Sequence, residues 1–112
     1  MALTLIDRKL INNFFNLRLI ATDMDGTLTC DGKFTAKLLQ ALQELEAAKI
    51  AVLIVTGRSA GWVSGLASYL PVVGAIAENG GIFYQNNHTV ALTSIPNLVE
   101  HRQKLAAAYQ QL

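Results

Sequence analysis

At 112 residues the chain suffices for one domain around one core, and 52% hydrophobic against 15% charged residues describes a globular chain, not a disordered one. A net charge of +1 without runs of like charge excludes a nucleic-acid surface and a polybasic membrane patch. The longest strongly apolar run, residues 50–55, is too short to span a bilayer.

Asp7, Arg8 and Lys9 interrupt the N-terminal apolar pattern, which argues against a secretory signal. The single cysteine, Cys30, has no partner for an internal disulfide, and the expected setting is cytoplasmic. Leu3, Ile6, Leu10, Phe14 and Leu17 recur at helical spacing and predict an amphipathic helix within 1–17, packed on a sheet or on a partner chain. Residues 18–22 read as a short apolar strand of the kind covered on both faces. Asp31-Gly32-Lys33 is a turn, and Thr35 caps a helix to about residue 49 with Leu38, Leu42 and Leu45 along one face. Residues 50–55 are a second strand, so strand, helix and strand form the crossover unit of a parallel sheet. Ser59 caps a helix to about residue 69 that carries Gly61 and Gly65, with Trp62 and Tyr69 as packing residues and Pro71 beyond its end. Residues 72–77 are a third strand. Residues 82–85 and 89–93 flank Asn86-Asn87-His88 as a β-hairpin with His88 solvated in the turn, and Pro96 at the first helical position opens a last helix.

The chemistry gathers at strand ends. Leu19-Ile20-Ala21-Thr22 leads into Asp23-Met24-Asp25-Gly26, where two carboxylates at i and i+2 share a side of extended backbone and Gly26 permits a sharp turn. Like charges held this close favour a bound cation, and oxygen ligands suit magnesium. The next strands end in Thr56-Gly57-Arg58 and Glu78-Asn79-Gly80-Gly81. In a parallel sheet these turns share one edge, and a hydroxyl, free N–H groups and an arginine at a helix start suit an anion. Beside a carboxylate-held metal that anion is phosphate, which predicts magnesium-assisted phosphoryl transfer. The plainer alternatives are turn-forming aspartates, ordinary strand-to-helix turns, and an Arg58 that only pairs with a surface carboxylate.

Asp23-Met24-Asp25-Gly26-Thr27-Leu28 resembles the first motif of the haloacid dehalogenase-like (HAD-like) superfamily, Asp-x-Asp-Gly-Thr. Thr56-Gly57-Arg58 resembles its second motif. Glu78-Asn79-Gly80-Gly81 with the following hairpin is similar to the Cof-type branch, which includes sugar-phosphate phosphatases. The likeness covers about residues 18–93. It implies a partial Rossmann-like α/β fold: a parallel sheet with flanking helices plus a hairpin, arranged as an N-terminal helix (1–17), half of a core (18–95) and a helix where a cap domain begins (96–112). It further implies Asp23 as nucleophile, Asp25 as general acid and base, and magnesium held by the Asp23 carboxylate and the Asp25 carbonyl. Thr56 and Gly57 would hold the phosphoryl oxygens of a small phosphorylated metabolite. Arg58, Glu78 and Asn79 would contact substrate or fix the loops.

The resemblance also implies a later Lys or Arg and a later acidic cluster. After residue 81 there is no Asp, Glu100 is the one acidic residue, and Lys104 lies in no matching context. The expectation is therefore a fragment, a shortened product, or part of a site completed by another chain, with an exposed apolar edge and face that favours a homo-oligomer or another partner. A catalytically inactive remnant acting as an interaction module is the alternative. A receiver-type phosphoacceptor domain fits less well, because no acidic cluster at the first strand stands apart from an aspartate on a later one.

Overall fold

The computed structural model describes residues 16–112. The helix expected within 1–17 falls outside them apart from Asn16 and Leu17, which are not helical. Short runs of aliphatic residues form three parallel neighbours, β1 (Leu19–Thr22), β2 (Ala51–Val55) and β3 (Gly74–Ala77). Two helices make the crossovers, α1 (Ala36–Ala47) and α2 (Ala60–Tyr69). The Thr35 side chain accepts from the Leu38 N–H at 3.1 Å, and the Ser59 side chain accepts from the Trp62 N–H at 3.3 Å. Each cap satisfies a donor that the first helical turn leaves without a partner.

Register decides which residues are buried. Ile20 pairs with Val52, Thr22 with Ile54 and Ile54 with Ala75, so these residues share one face of the sheet. Successive right-handed crossovers in one direction bring both helices to the same face. Leu42 of α1 and Val63 of α2 meet Val52, Ile54, Ala75 and Ala77 there, with Met24 and Tyr84 closing the two ends of the core. Both crossover helices pack on this face of the sheet. On the second face Leu19, Val55 and Val90 remain exposed.

β4 (Ile82–Gln85) and β5 (His88–Ala91) extend the sheet antiparallel, giving five strands in the order β1-β2-β3-β4-β5. Asn86 and Asn87 have φ of 51° and 63°, the geometry of a two-residue hairpin turn whose twist matches the strands. His88 therefore lies in the strand, paired with Gln85, rather than in the turn, and β5 ends at Ala91 instead of Thr93. The last helix, α3, runs Leu98–Gln110. Its cap is Asn97, whose side chain accepts from the Glu100 N–H at 3.0 Å, so Pro96 precedes the cap and is not the first helical residue. Tyr69, expected to pack, is 89% exposed at the end of α2, whereas Trp62 packs against the core. Cys30 is exposed and forms a narrow bridge with Lys33 around Asp31-Gly32. Among the described residues no helix is long and apolar enough to cross a membrane.

Candidate active site

The three polar turns follow the carboxyl ends of β1, β2 and β3, three adjacent parallel strands, and so lie along one edge of the sheet. Ligands of open α/β sheets bind at that edge.

The first turn is built around a buried methionine. Met24 is 1% exposed and belongs to the core, while Asp23 and Asp25 on either side of it lie in solvent. Anchoring the middle residue fixes the two carboxylates on the opposite side. The Met24 carbonyl accepts from the Thr27, Leu28 and Thr29 N–H groups, which closes the turn behind them. Gly26 has a φ of 76°, a conformation open to glycine at little cost, and its N–H donates to Thr29 Oγ1 at 2.9 Å. Thr27 Oγ1 donates to Asp23 Oδ2 at 3.1 Å, orienting the carboxylate expected to act as nucleophile. The sequence reading gave Thr27 no role of its own; its position four residues after Asp23 in a turn is the signal for this contact.

The second turn is held from both sides. Thr56 is 5% exposed, the one buried polar residue among those described. Its N–H continues the ladder to the Ile76 carbonyl at 2.9 Å, and its Oγ1 accepts from the Arg58 N–H at 3.1 Å. Glu78 donates its N–H to the Arg58 carbonyl at 2.9 Å, and Asn79 donates to the Thr56 carbonyl at 3.3 Å. The Glu78 carboxylate also accepts from the Ala60 N–H at 3.4 Å, at the N-terminus of α2, where a negative charge is favourable. Glu78 and Asn79 adopt φ of 53° and 54°, uncommon for residues other than glycine, and these contacts hold them there. Between the two roles open to Glu78 and Asn79, the structure displays loop bracing.

Arg58 joins the second turn to the first. Its Nε donates to Asp25 Oδ2 at 2.8 Å and its Nη2 to Asp25 Oδ1 at 2.9 Å, a two-pronged pair across 33 residues of sequence. Its carboxylate partner is thus the second aspartate of the first motif. The Arg58 guanidinium also lies over the Trp62 ring, 4.3 Å from the centroid, in cation–π geometry. Hydrogen bonding to Arg58 holds the Asp25 carboxyl below its ordinary pKa; partial desolvation opposes the shift and the Arg58 charge adds to it. The same bond raises Arg58, against desolvation and with the help of the Asp25 charge. Trp62, read from sequence as packing alone, has this second contact, made from the first turn of α2 to the residue just before its cap.

A model of haloacid dehalogenase-like hydrolases matches residues 20–110. The chain is similar to a phosphoglycolate phosphatase of Metallosphaera sedula, 38% identical over 77 residues that cover 65% of this chain and 35% of that protein. It is likewise similar to a phosphoglycolate phosphatase of Staphylothermus marinus, 34% identical over 82 residues, covering 70% of this chain and 34% of that one. It spans about a third of the length of these curated relatives. Among solved structures, a phosphatase of the HAD enzyme superfamily from Bacteroides thetaiotaomicron superposes with a TM-score of 0.65 at 25% identity, over 84% of this chain and 35% of the other. A haloacid dehalogenase-like hydrolase from B. subtilis shares the fold with a TM-score of 0.66 at 22% identity, over 85% and 33%. The match runs from the first strand through the last helix and takes in all three strand-end turns, so this chain belongs to the haloacid dehalogenase-like hydrolases.

Proposed function

We propose that this chain carries the nucleophile half of a magnesium-dependent phosphatase acting on a small phosphorylated metabolite. The observation that carries the reading is the pair Asp23 and Asp25, turned to solvent about the buried Met24 at the sheet edge where Thr56-Gly57-Arg58 also ends. The phosphatase names of the relatives support it, phosphoglycolate being one substrate to test first.

In the proposed reaction an Asp23 carboxylate oxygen attacks phosphorus and the bond to the leaving oxygen breaks, with Asp25 in its acid form giving that oxygen a proton. Asp25, now a carboxylate, takes a proton from water. The water oxygen attacks the phosphorus of the aspartyl phosphate, which releases inorganic phosphate and restores the Asp23 carboxylate. Thr56 and the backbone at Gly57 receive the phosphoryl oxygens, and Glu78 and Asn79 keep that loop in place. The oxygen donors available, the Asp23 carboxylate and the Asp25 carbonyl, are hard ligands of the kind magnesium prefers. When bound, the ion offsets phosphoryl charge. Among the described residues no group of three His, Cys, Asp or Glu side chains converges to hold a metal, so further donors belong to substrate, water or another segment.

Turnover of an aryl phosphate that needs magnesium and disappears in Asp23→Asn is the expected result. Phosphate release persisting in Asp23→Asn overturns the reading. We further propose that the exposed second face of the sheet, with Leu19, Val55 and Val90, is an association surface for another chain or copy. A monodisperse monomer at high concentration by light scattering overturns that part alone. A cytoplasmic setting is the proposed location.

A further inference from the structure

We propose that β5 is a docking edge for a second copy of this chain: two β5 strands pair antiparallel about a two-fold axis at Val90 and join two sheets into one. The inference is independent of the phosphatase reading and concerns an edge of the sheet, not its second face.

The register leaves a defined row of backbone groups for this. β5 ends the strand order, β4 is its one neighbour among the described residues, and all four of its residues are exposed. The Leu92 N–H donates to the Gly81 carbonyl at 2.8 Å, and Val90 and His88 follow at intervals of two opposite Phe83 and Gln85. Residues 88, 90 and 92 therefore turn their backbone groups toward β4. Those of Thr89 and Ala91 point away from the sheet. An antiparallel copy centred on Val90 sets Thr89 against the partner's Ala91, and Ala91 against the partner's Thr89, each as a hydrogen-bonded pair. Val90 then meets the partner's Val90 in the non-hydrogen-bonded position between them, about 4.5 Å apart at Cα, where side chains stand closest. His88 meets the partner's Leu92, so no two histidines face each other.

Charge and apolar surface make a second copy the occupant. Edge strands are ordinarily protected by charged residues or proline. Residues 79–99 contain no Asp, Glu, Lys or Arg, and Pro96 lies beyond β5. Like charges set opposite one another keep a strand from its own copy, and this edge has none. β1, at the other end of the strand order, lies between Arg18 and Asp23. The chain as a whole carries a net charge of +1, too little to hold copies apart. Val90 is 55% exposed and Leu92 50%. Val90 pairs with Phe83 on the second face. A two-fold axis perpendicular to the sheet keeps both second faces on one side, so Val90 and Phe83 of the two copies form one apolar strip across the junction. A partner with a charged strand would gain the hydrogen bonds without that contact.

Sedimentation equilibrium of the full chain tests this. The wild type is expected to be a dimer at high concentration and to dissociate on dilution. Val90→Lys and Val90→Glu each set like charges face to face and should be monomeric, with circular dichroism unchanged because Val90 is exposed. An equimolar mixture of the two should restore the dimer, since an axis at residue 90 brings the opposite charges together. Amide hydrogen exchange gives a readout that needs no variant. The Thr89 and Ala91 N–H groups should exchange about tenfold more slowly at high concentration than at low, while those of Val90 and Leu92, bonded to β4 in both states, change little. A wild-type monomer at high concentration, or a mixture of the folded charged variants that stays monomeric, overturns the inference. So does a dimer in which Thr89 and Ala91 exchange as they do in dilute solution, an outcome that moves the association to another surface. None of these results bears on the phosphatase reading.

Discussion

Gly57 faces the side chain of Asn79 so closely that a Cβ on it would stand 2.7 Å from Asn79 Oδ1. The second and third turns of the site are therefore fitted to one another by the absence of a side chain at one position and the presence of a short one at the other. Gly57→Ala is expected to destabilise the protein by about 1 kcal/mol, at the mild end of overpacking because the obstacle is the end of a side chain. Adding Asn79→Gly should restore most of the loss, since glycine adopts the left-handed backbone of residue 79 freely. Urea denaturation of both single variants and the double variant checks this: strictly additive effects would contradict the contact.

Gly74 meets a harder obstacle. A Cβ there would lie 2.5 Å from the backbone carbonyl oxygen of Tyr84 in the neighbouring strand. The backbone cannot swing aside as an amide side chain can, so β4 must move away from β3. Gly74→Ala should lose about 3 kcal/mol, a large part of the stability of a small domain. Thermal unfolding monitored by circular dichroism would show the midpoint falling well below that of Gly57→Ala.

The Asp25–Arg58 pair makes stability depend on acid in a defined direction. Asp25 has its native pKa below the ordinary value of 3.8 because Arg58 binds its charged form. The contribution is fully present above 3.8 and is lost as pH falls through the lower native value. Arg58→Gln should therefore be less stable than the wild type at neutral pH, with the gap closing in strong acid. The carboxyl carbon of Asp25, followed by NMR, should titrate at a higher pH in the variant.

Ser59 caps the helix that carries Trp62 beneath Arg58. Ser59→Ala leaves the Trp62 N–H without its side-chain partner and should lower stability by about 1 kcal/mol. Fraying of the first turn should also raise the mobility of the indole, visible as lower fluorescence anisotropy of this single tryptophan.

Features set by local chemistry were legible in the sequence. Thr35 and Ser59 are the observed caps because capping joins groups two or three residues apart. The alternation Asp23, Met24, Asp25 predicts both carboxylates on the side away from the core, and in the structure both residues are exposed about the buried Met24. Asn97 was missed as a cap since Pro96 offered a competing helix start one residue earlier. The turn expected from sequence is one residue longer than the observed one because His88 carries no turn preference strong enough to mark its boundary, whereas the positive φ of Asn86 and Asn87 does so in the structure. Pairing of Arg58 with Asp25 joins residues 33 positions apart, and no local pattern reports on it. The brace that Glu78 and Asn79 form under Thr56-Gly57-Arg58 depends on how β2 and β3 are paired, a fact of register and not of composition.

Strand order in space equals strand order along the chain, from β1 to β5. No strand has to wait for a later one to be slotted between it and its neighbour. Each crossover unit can add to an edge already formed, and the three turns of the site come from the first three strands. Each parallel closure still spans a helix, 32 residues from Leu19 to Ala51 and 21 from Leu53 to Gly74, and closures of that separation are slow steps. On a ribosome, the turns that carry Asp23, Thr56 and Glu78 would all have emerged before the hairpin and α3.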